Sequence, residues 1–374
     1  MVVGVGFSLC HGLLWVNMGA RHGNGCPKLV RNTHMQGQVD TLVGNGTAGF
    51  SGDGGAGNVA QIAEPFGVII GPDAGLYFCD LGNHRIRCLD LASATVCTVA
   101  GTGEAGNSGN GGPALSAQLN QPYEIRFDAA GNLVFVDMLS HVVRRIDRAS
   151  QTIETIAGTG QAGFAGDGGP ASAAQLDRPH SIEFDRSGDL YICDIANHRI
   201  RRVFASNGLI ETFAGTGEQL ETLDGMTLAQ APLNGPRALA FADNADMYVV
   251  LREGNVVLHL DARTQQFRRI AGTGERGYSG DGGDARAADL SGPKGIALKS
   301  EDALYIADTE SHTVRRIDLS SGVISTVLGD GSCHDGPDGD PRTCGLARPH
   351  GIFVTSDGTI YVGDSENHRV RVLR

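Results

Sequence analysis

The sequence predicts an all-β protein: a six-bladed β-propeller with four strands in each blade and the N-terminal strand closing the last one. Three observations carry this. A glycine-rich stretch returns six times, beginning at Val43, Ala100, Ala157, Ala214, Ala271 and Leu328, each start 57 residues after the one before. Each period also holds four short segments of alternating or β-branched residues bounded by Gly, Asp or Asn, which is strand and turn chemistry. Finally, the chain ends at ENHRVRVLR, the third strand of its last repeat, and the missing fourth strand stands at the other end as GQVDTLVG (37–44). Ring closure by that strand leaves no unpaired sheet edge.

The third repeat displays the parts in order: RPHSIEFD (178–185), SGDLYICD (187–194), NHRIRRV (197–203) and GLIETFAG (208–215). The innermost strand comes first and opens at a marker proline, which recurs as Pro65, Pro122, Pro179, Pro236, Pro293 and Pro349. The loop before it, AGTGQAGFAGDGGP (157–170), contains Gly158, Gly160 and Gly163 at dinucleotide-fingerprint spacing. That fingerprint occurs once or twice per chain ahead of a long helix, so six copies at a fixed period are a repeat loop and not a nucleotide site. Asp53, Asp167, Asp224, Asp281 and Asp338, with Asn110 in the second blade, sit in these loops before Gly-Gly-Pro-Ala or its variants. This pattern predicts a short helix with Asp or Gly near its cap and Pro early in it. The six loops are expected to form a canopy over one face. The alternating oxygen ligands of a calcium loop are absent from them.

The P-x-G-I-x-x-D, L-Y-x-x-D and NHR-I-R segments resemble NHL repeats throughout 37–374, and the G-T-G…G-D-G-G-P-A loop is similar to that of bacterial secreted NHL proteins and of the teneurin NHL propeller. The resemblance implies a ligand- or protein-binding scaffold, with lyases a minority. Net charge is −12 and no basic stripe interrupts it, which argues against nucleic acid as a partner; no apolar run is long enough to insert in a membrane. The expected partner is a protein or a small anion, bound by a monomer. Residues 1–36 stand outside the repeats and read equally as an N-terminal extension or as a signal peptide, since MVVGVGFSLCHGLLWVNMGA has the length of one but no basic start. Cys88 and Cys97 lie at mirror positions about a strand turn, where other blades carry Arg145 with Glu154 and Arg202 with Glu211. A disulfide is expected there and a second between Cys333 and Cys344, which favours an extracellular or periplasmic location.

Functional residues are sought where the repeats differ, because a single central site does not need six copies of its side chains. Asp80, Asp137, Asp194, Asp308 and Asp364 each precede a histidine by four residues (His84, His141, His198, His312, His368), and this recurrence marks them as structural. The fourth blade has Leu251 and Asn255 at those two places. The residue after each marker proline opens the innermost strand at the channel mouth, and these six differ: Phe66, Tyr123, His180, Arg237, Lys294 and His350. Alternation turns Glu124, Arg126 and Glu183 toward the channel, with Arg126 level with Glu183 and paired to it. One reading is an anion pocket in which Arg126, Arg237 and Lys294 bind and Glu124, Tyr123 and Glu183 supply acid–base groups. The other is a wetted channel with no chemistry. Pro179-His180 and Pro349-His350 also resemble the metal-ligand segments of peptidylglycine amidating lyases, although that family's three-histidine set is not reproduced. A metal-assisted lyase or hydrolase would therefore rest on one zinc or calcium ion held by His180, His350 and Glu124.

Overall fold

Six four-stranded antiparallel sheets make up the computed structural model, which describes residues 37–300 and 302–374. The expected extension or signal at 1–36 lies outside the described residues. The third blade runs Pro179–Phe184, Leu190–Asp194, Arg199–Val203 and Ile210–Ala214, close to the four segments anticipated. The innermost strands of successive blades touch one another around the ring, and the last touches the first. Val39–Val43 pairs antiparallel with Arg369–Leu373, Val39 opposite Leu373, and completes the sixth blade. No helix among the described residues is long and apolar enough to cross a membrane.

The period-2 pattern explains the stacking. Ile125, Phe135, Ile182 and Ile192 are fully buried, and each apolar cluster joins residues of two adjacent blades. A single sheet could not bury both of its faces, so the ring is the smallest stable unit. The channel-side glycines answer to the same close approach. A Cβ on Gly295 would lie 2.2 Å from the His350 carbonyl oxygen, and one on Gly351 2.6 Å from that of Phe66. They are small because neighbouring inner strands converge.

The loop helices expected at Asp-Gly-Gly-Pro-Ala are not α-helices. Four of the six loops make a single 3₁₀ turn such as Ala171–Ala173, preceded by Pro170 with no side-chain cap; in the fifth loop Asp284 caps the turn by accepting from the Arg286 N–H. Asp167 serves another purpose: it accepts from Arg201 Nη2 at 2.6 Å and from Thr212 Oγ1 at 2.7 Å. Arg201 is completely buried, and its guanidinium also reaches the carbonyls of Gln175 and Ala165 and the Asp194 carboxylate. Arg87, Arg144, Arg315 and Arg371 repeat this arrangement, so that five of the six canopy loops are tied to their sheets. A guanidinium, with five donors in a fixed fork, reaches loop and sheet together and so holds the long loop in place.

The recurring Asp and His are not paired with each other. Asp194 accepts from the backbone N–H of Asp177, and the equivalent acids do likewise in four other blades. Each histidine adopts a left-handed backbone, φ 51–57°, and its Nδ1 accepts a backbone N–H of the next blade. Asp thus holds the residue two before the marker proline, and the previous blade's His holds the residue one before it. That second residue is itself left-handed, as in Arg178 at φ 47°, a conformation that the following proline disfavours. In the fourth blade Asn255 replaces the histidine with φ 49°, and its Oδ1 accepts from Gly292 N at 2.9 Å. Asn is among the few residues suited to that backbone. His198→Ala is therefore expected to cost about 1–2 kcal/mol and His198→Asn much less, as read by urea unfolding; equal losses for both would show that this acceptor contributes nothing.

Candidate anion site at the channel mouth

The braced turns deliver the six differing side chains to one place. In five blades the ladder to the second strand slips behind the marker proline, between Pro179 and Ser181 or Pro236 and Ala238 for example, which frees the intervening residue from the regular register; in the fifth blade the paired strand starts at Gly295, just after Lys294. Phe66 stacks on His350 with ring centroids 3.8 Å apart, and Tyr123 meets Phe66 and His180 edge-on, each at 4.6 Å. Arg237 lies over the Tyr123 ring, its Cζ 4.4 Å from the centroid. Lys294 Nζ is 3.0 Å from His350 Nε2 and 3.4 Å from Glu310 Oε1. All six positions are thus contiguous.

Beside them opens a cavity of about 430 Å³ whose lining includes Arg178, His180, His198, Arg237, Arg252 and Lys294, with Glu253 as its one acid. Glu253 is engaged by Arg252. Among the described residues Arg237 makes no ion pair and no hydrogen bond; its guanidinium packs over the Tyr123 ring, the nearby acids Glu253 and Glu310 act on it only at longer range, and it is 5% exposed. Burial, and then the charge of Arg252, push its pKa well below the usual guanidinium value. Lys294 is pushed down to about 6, by burial first and then by Arg237. His180 falls to about 3 through burial, so it is neutral at physiological pH. In a protein of net charge −12, four basic side chains, Arg178, Arg237, Arg252 and Lys294, are thus gathered around one cavity.

The other expected site residues are distributed differently. Arg126 donates from Nε to Glu183 at 2.7 Å and from Nη1 to Glu124 at 2.7 Å, so its guanidinium is committed between two acids. Glu124 is pushed up by burial and held back by Arg126. The three form a closed channel triad, with the Arg126–Glu183 pairing as anticipated. His350 has both ring nitrogens engaged, Nδ1 with the Arg348 carbonyl at 2.8 Å and Nε2 with Lys294. His180 Nδ1 contacts the Arg178 carbonyl at 2.6 Å. Among the described residues no group of three or more His, Cys, Asp or Glu side chains is placed to hold a metal, and His180, His350 and Glu124 are not brought together as a ligand set. The donors present do not fit a zinc or calcium centre. Cys88 stands directly opposite Cys97 in the ladder, while Cys344 is buried and Cys333 exposed; all four are free thiols here.

Sequence reasoning did not find the buried arginines, nor Arg178, Arg252 and His198 as part of the cavity. A signal for the first existed: Arg87, Arg144, Arg201 and Arg315 keep the repeat period, and the fourth blade loses that arginine (Leu258) together with the aspartate (Leu251).

One repeated unit, closed on itself and braced in the same way in five of its blades, defines a six-bladed repeat propeller. The chain belongs to the NHL-repeat family. Residues 346–373 match the NHL repeat, and 159–277 and 272–333 match the teneurin NHL domain. The chain is 26% identical to SUPPRESSOR OF QUENCHING 1, a chloroplastic protein of Arabidopsis thaliana, over 80% of this chain and 29% of that protein. It is 31% identical to teneurin-3 of Danio rerio over 60% of this chain and 9% of that protein. It therefore spans well under two thirds of either relative. An auxiliary nutrient binding protein of Bacteroides thetaiotaomicron has the same fold, with TM-score 0.67 at 16% identity, covering 90% of this chain and 76% of that one.

Proposed function

We propose that this propeller is a binding scaffold whose channel mouth takes a small anion, with Arg237 and Lys294 as its principal contacts and Arg178 and Arg252 at the rim. The observation that carries the reading is Arg237, a guanidinium nine-tenths buried, without an ion-pair partner among the described residues, lining a cavity of ligand size. An unpaired buried cation is costly, and a bound carboxylate, sulfate or phosphate would supply the missing partner. Tyr123 and His180 form the apolar and neutral wall beside it. Glu124, Arg126 and Glu183 set the channel below, where their mutual pairing keeps them from competing for the ligand. Calorimetric titration with sulfate, phosphate and small carboxylates tests this: Arg237→Ala is expected to weaken the best of them by about tenfold or more, in line with a hydrogen bond to a charged group. Equal affinity in the variant would exclude the site.

The same reading predicts a pH dependence. Lys294 is an ammonium below about pH 6 and neutral above it, so it attracts an anion only on the acid side. Sulfate, which stays dianionic, is expected to bind more weakly as pH rises through that value. A flat profile in calorimetry between pH 5 and 8 would remove Lys294 from the contact set.

An extracellular or periplasmic setting belongs to the same proposal, supported by the cross-strand placement of Cys88 and Cys97 and by the teneurin-domain match. Air oxidation is expected to join these two thiols, read by peptide mass spectrometry without reduction; persistence of both as thiols would withdraw that support.

A further inference from the structure

We infer that Lys294 is a nucleophilic amine that forms an imine with a small carbonyl-bearing anion, of the 2-oxo acid class, seated in the mouth cavity by Arg237. The inference rests on the anion-binding reading and adds chemistry to it. Its first support is the choice of side chain. The chain contains 30 Lys and Arg together, and only Lys28, Lys294 and Lys299 are lysine. Everywhere in the latches and the cavity the cation is arginine, which cannot act as a neutral nucleophile; at the one mouth position beside the unpaired Arg237 it is an amine, which can.

The surroundings favour the neutral amine. Lys294 is 6% exposed and lines the cavity. Its one carboxylate partner among the described residues, Glu310 at 3.4 Å, is held more closely by Arg348 at 2.8 Å, so its charge is largely spent. Arg237, Arg252 and Arg348 all repel an ammonium at that place, and burial adds to their effect. Desolvation beside another cation is the known way to prepare a lysine for attack on a carbonyl. His350 is oriented to assist. Its Nδ1 faces two oxygens, the Arg348 carbonyl at 2.8 Å and Ser365 Oγ at 2.9 Å, and the Ser365 hydroxyl donates to the Pro65 carbonyl at 2.7 Å. Nδ1 must therefore carry the ring proton, which leaves the Nε2 lone pair directed at Lys294 Nζ, 3.0 Å away. Stacking on Phe66 fixes the ring in that pose.

The step balances without a further reactant. The Nζ lone pair attacks the carbonyl carbon, the C=O π pair moves to oxygen, and the proton lost from nitrogen passes by way of His350 Nε2 to that oxygen. The carbinolamine then expels water, its nitrogen giving up the second proton, and a C=N bond replaces C=O. The ligand's carboxylate stays on Arg237, so a carbonyl adjacent to a carboxylate is the geometry favoured.

Glyoxylate is the probe, with sodium cyanoborohydride to reduce the imine to a stable secondary amine and peptide mass spectrometry to locate it. At pH 7 the adduct is expected on Lys294 at least about tenfold over Lys299, because an amine with a lowered pKa is free at that pH. It should vanish in Lys294→Arg, persist in a Lys28→Arg/Lys299→Arg double variant, and fall in Arg237→Ala. Glyoxylate that binds by calorimetry yet labels Lys294 no faster than Lys299 would overturn the imine and leave the anion site standing. If neither glyoxylate nor sulfate binds, the anion site fails and the imine with it. Labelling of Lys294 that is unchanged in Arg237→Ala would overturn the seating of the carboxylate.

Discussion

Arg201→Leu is expected to destabilise the protein by about 3–5 kcal/mol, the range seen when one member of a buried ion pair is removed. The substitution leaves Asp194, fully buried, without its cation, and strips donors from the Gln175 and Ala165 carbonyls and from Asp167. Asp194 is already pushed up to about 6 by burial, against the pull of its N–H donors and Arg201, so loss of the guanidinium would raise it further. The double variant Arg201→Leu/Asp194→Leu is expected to recover part of the loss. The fourth blade has carried out that exchange: Leu251 and Leu258 occupy the two places, both 1% exposed, inside one apolar cluster with Phe267 and Leu239. The exchange also disposes of a residual cost, for the Nε atoms of Arg87, Arg144, Arg201 and Arg315 are buried without an acceptor. Urea unfolding of the two single variants and the double gives the coupling energy directly. Simple additivity would show that the pair is not a pair.

Arg237→Met is expected to act in the opposite sense on stability while abolishing anion binding. The guanidinium has no counter-ion, and replacement of an unpaired buried charge by an apolar side chain of similar length should raise stability by about 1–2 kcal/mol, after loss of the contact with Tyr123. Wild type should close that gap when saturated with sulfate, since a ligand bound only to the folded state stabilises it by mass action. Thermal unfolding of both proteins with and without sulfate checks this. A variant less stable than wild type in the absence of anion would mean that Arg237 is structural. The opposite signs at Arg201 and Arg237 follow from one difference. Both arginines are buried, but the first has every Nη donor occupied and the second has none.

The disagreement between sequence and structure over the loop aspartates shows where pattern reading stops. Asp-Gly-Gly-Pro-Ala has the composition of a helix start, and the chain does turn there, but only through three residues. Asp167 meets its partner from the third strand, 34 positions away, and no local pattern registers such a pairing. The histidines illustrate the same limit. Their recurrence marks them as structural, while their partner lies in the next blade, 37 positions on from His198 to Gly235.

The number of blades, the four-strand unit, the closure by the N-terminal strand and the register that sets Cys88 opposite Cys97 were all readable from the chain, because they follow from a fixed period and from alternation, and both are local properties of the sequence. The fate of the polar residues was not. Arg126 and Arg237 lie on the inner strands of the second and fourth blades and looked equally fit to hold an anion, yet Arg126 is consumed by Glu124 and Glu183 while Arg237 has no ion pair among the described residues. Lys294 gives up its charge near neutrality because burial and three arginines from other segments surround it. Charge, burial and pairing at the mouth are sums over side chains brought together from all six blades, and such sums exist only once the ring has closed.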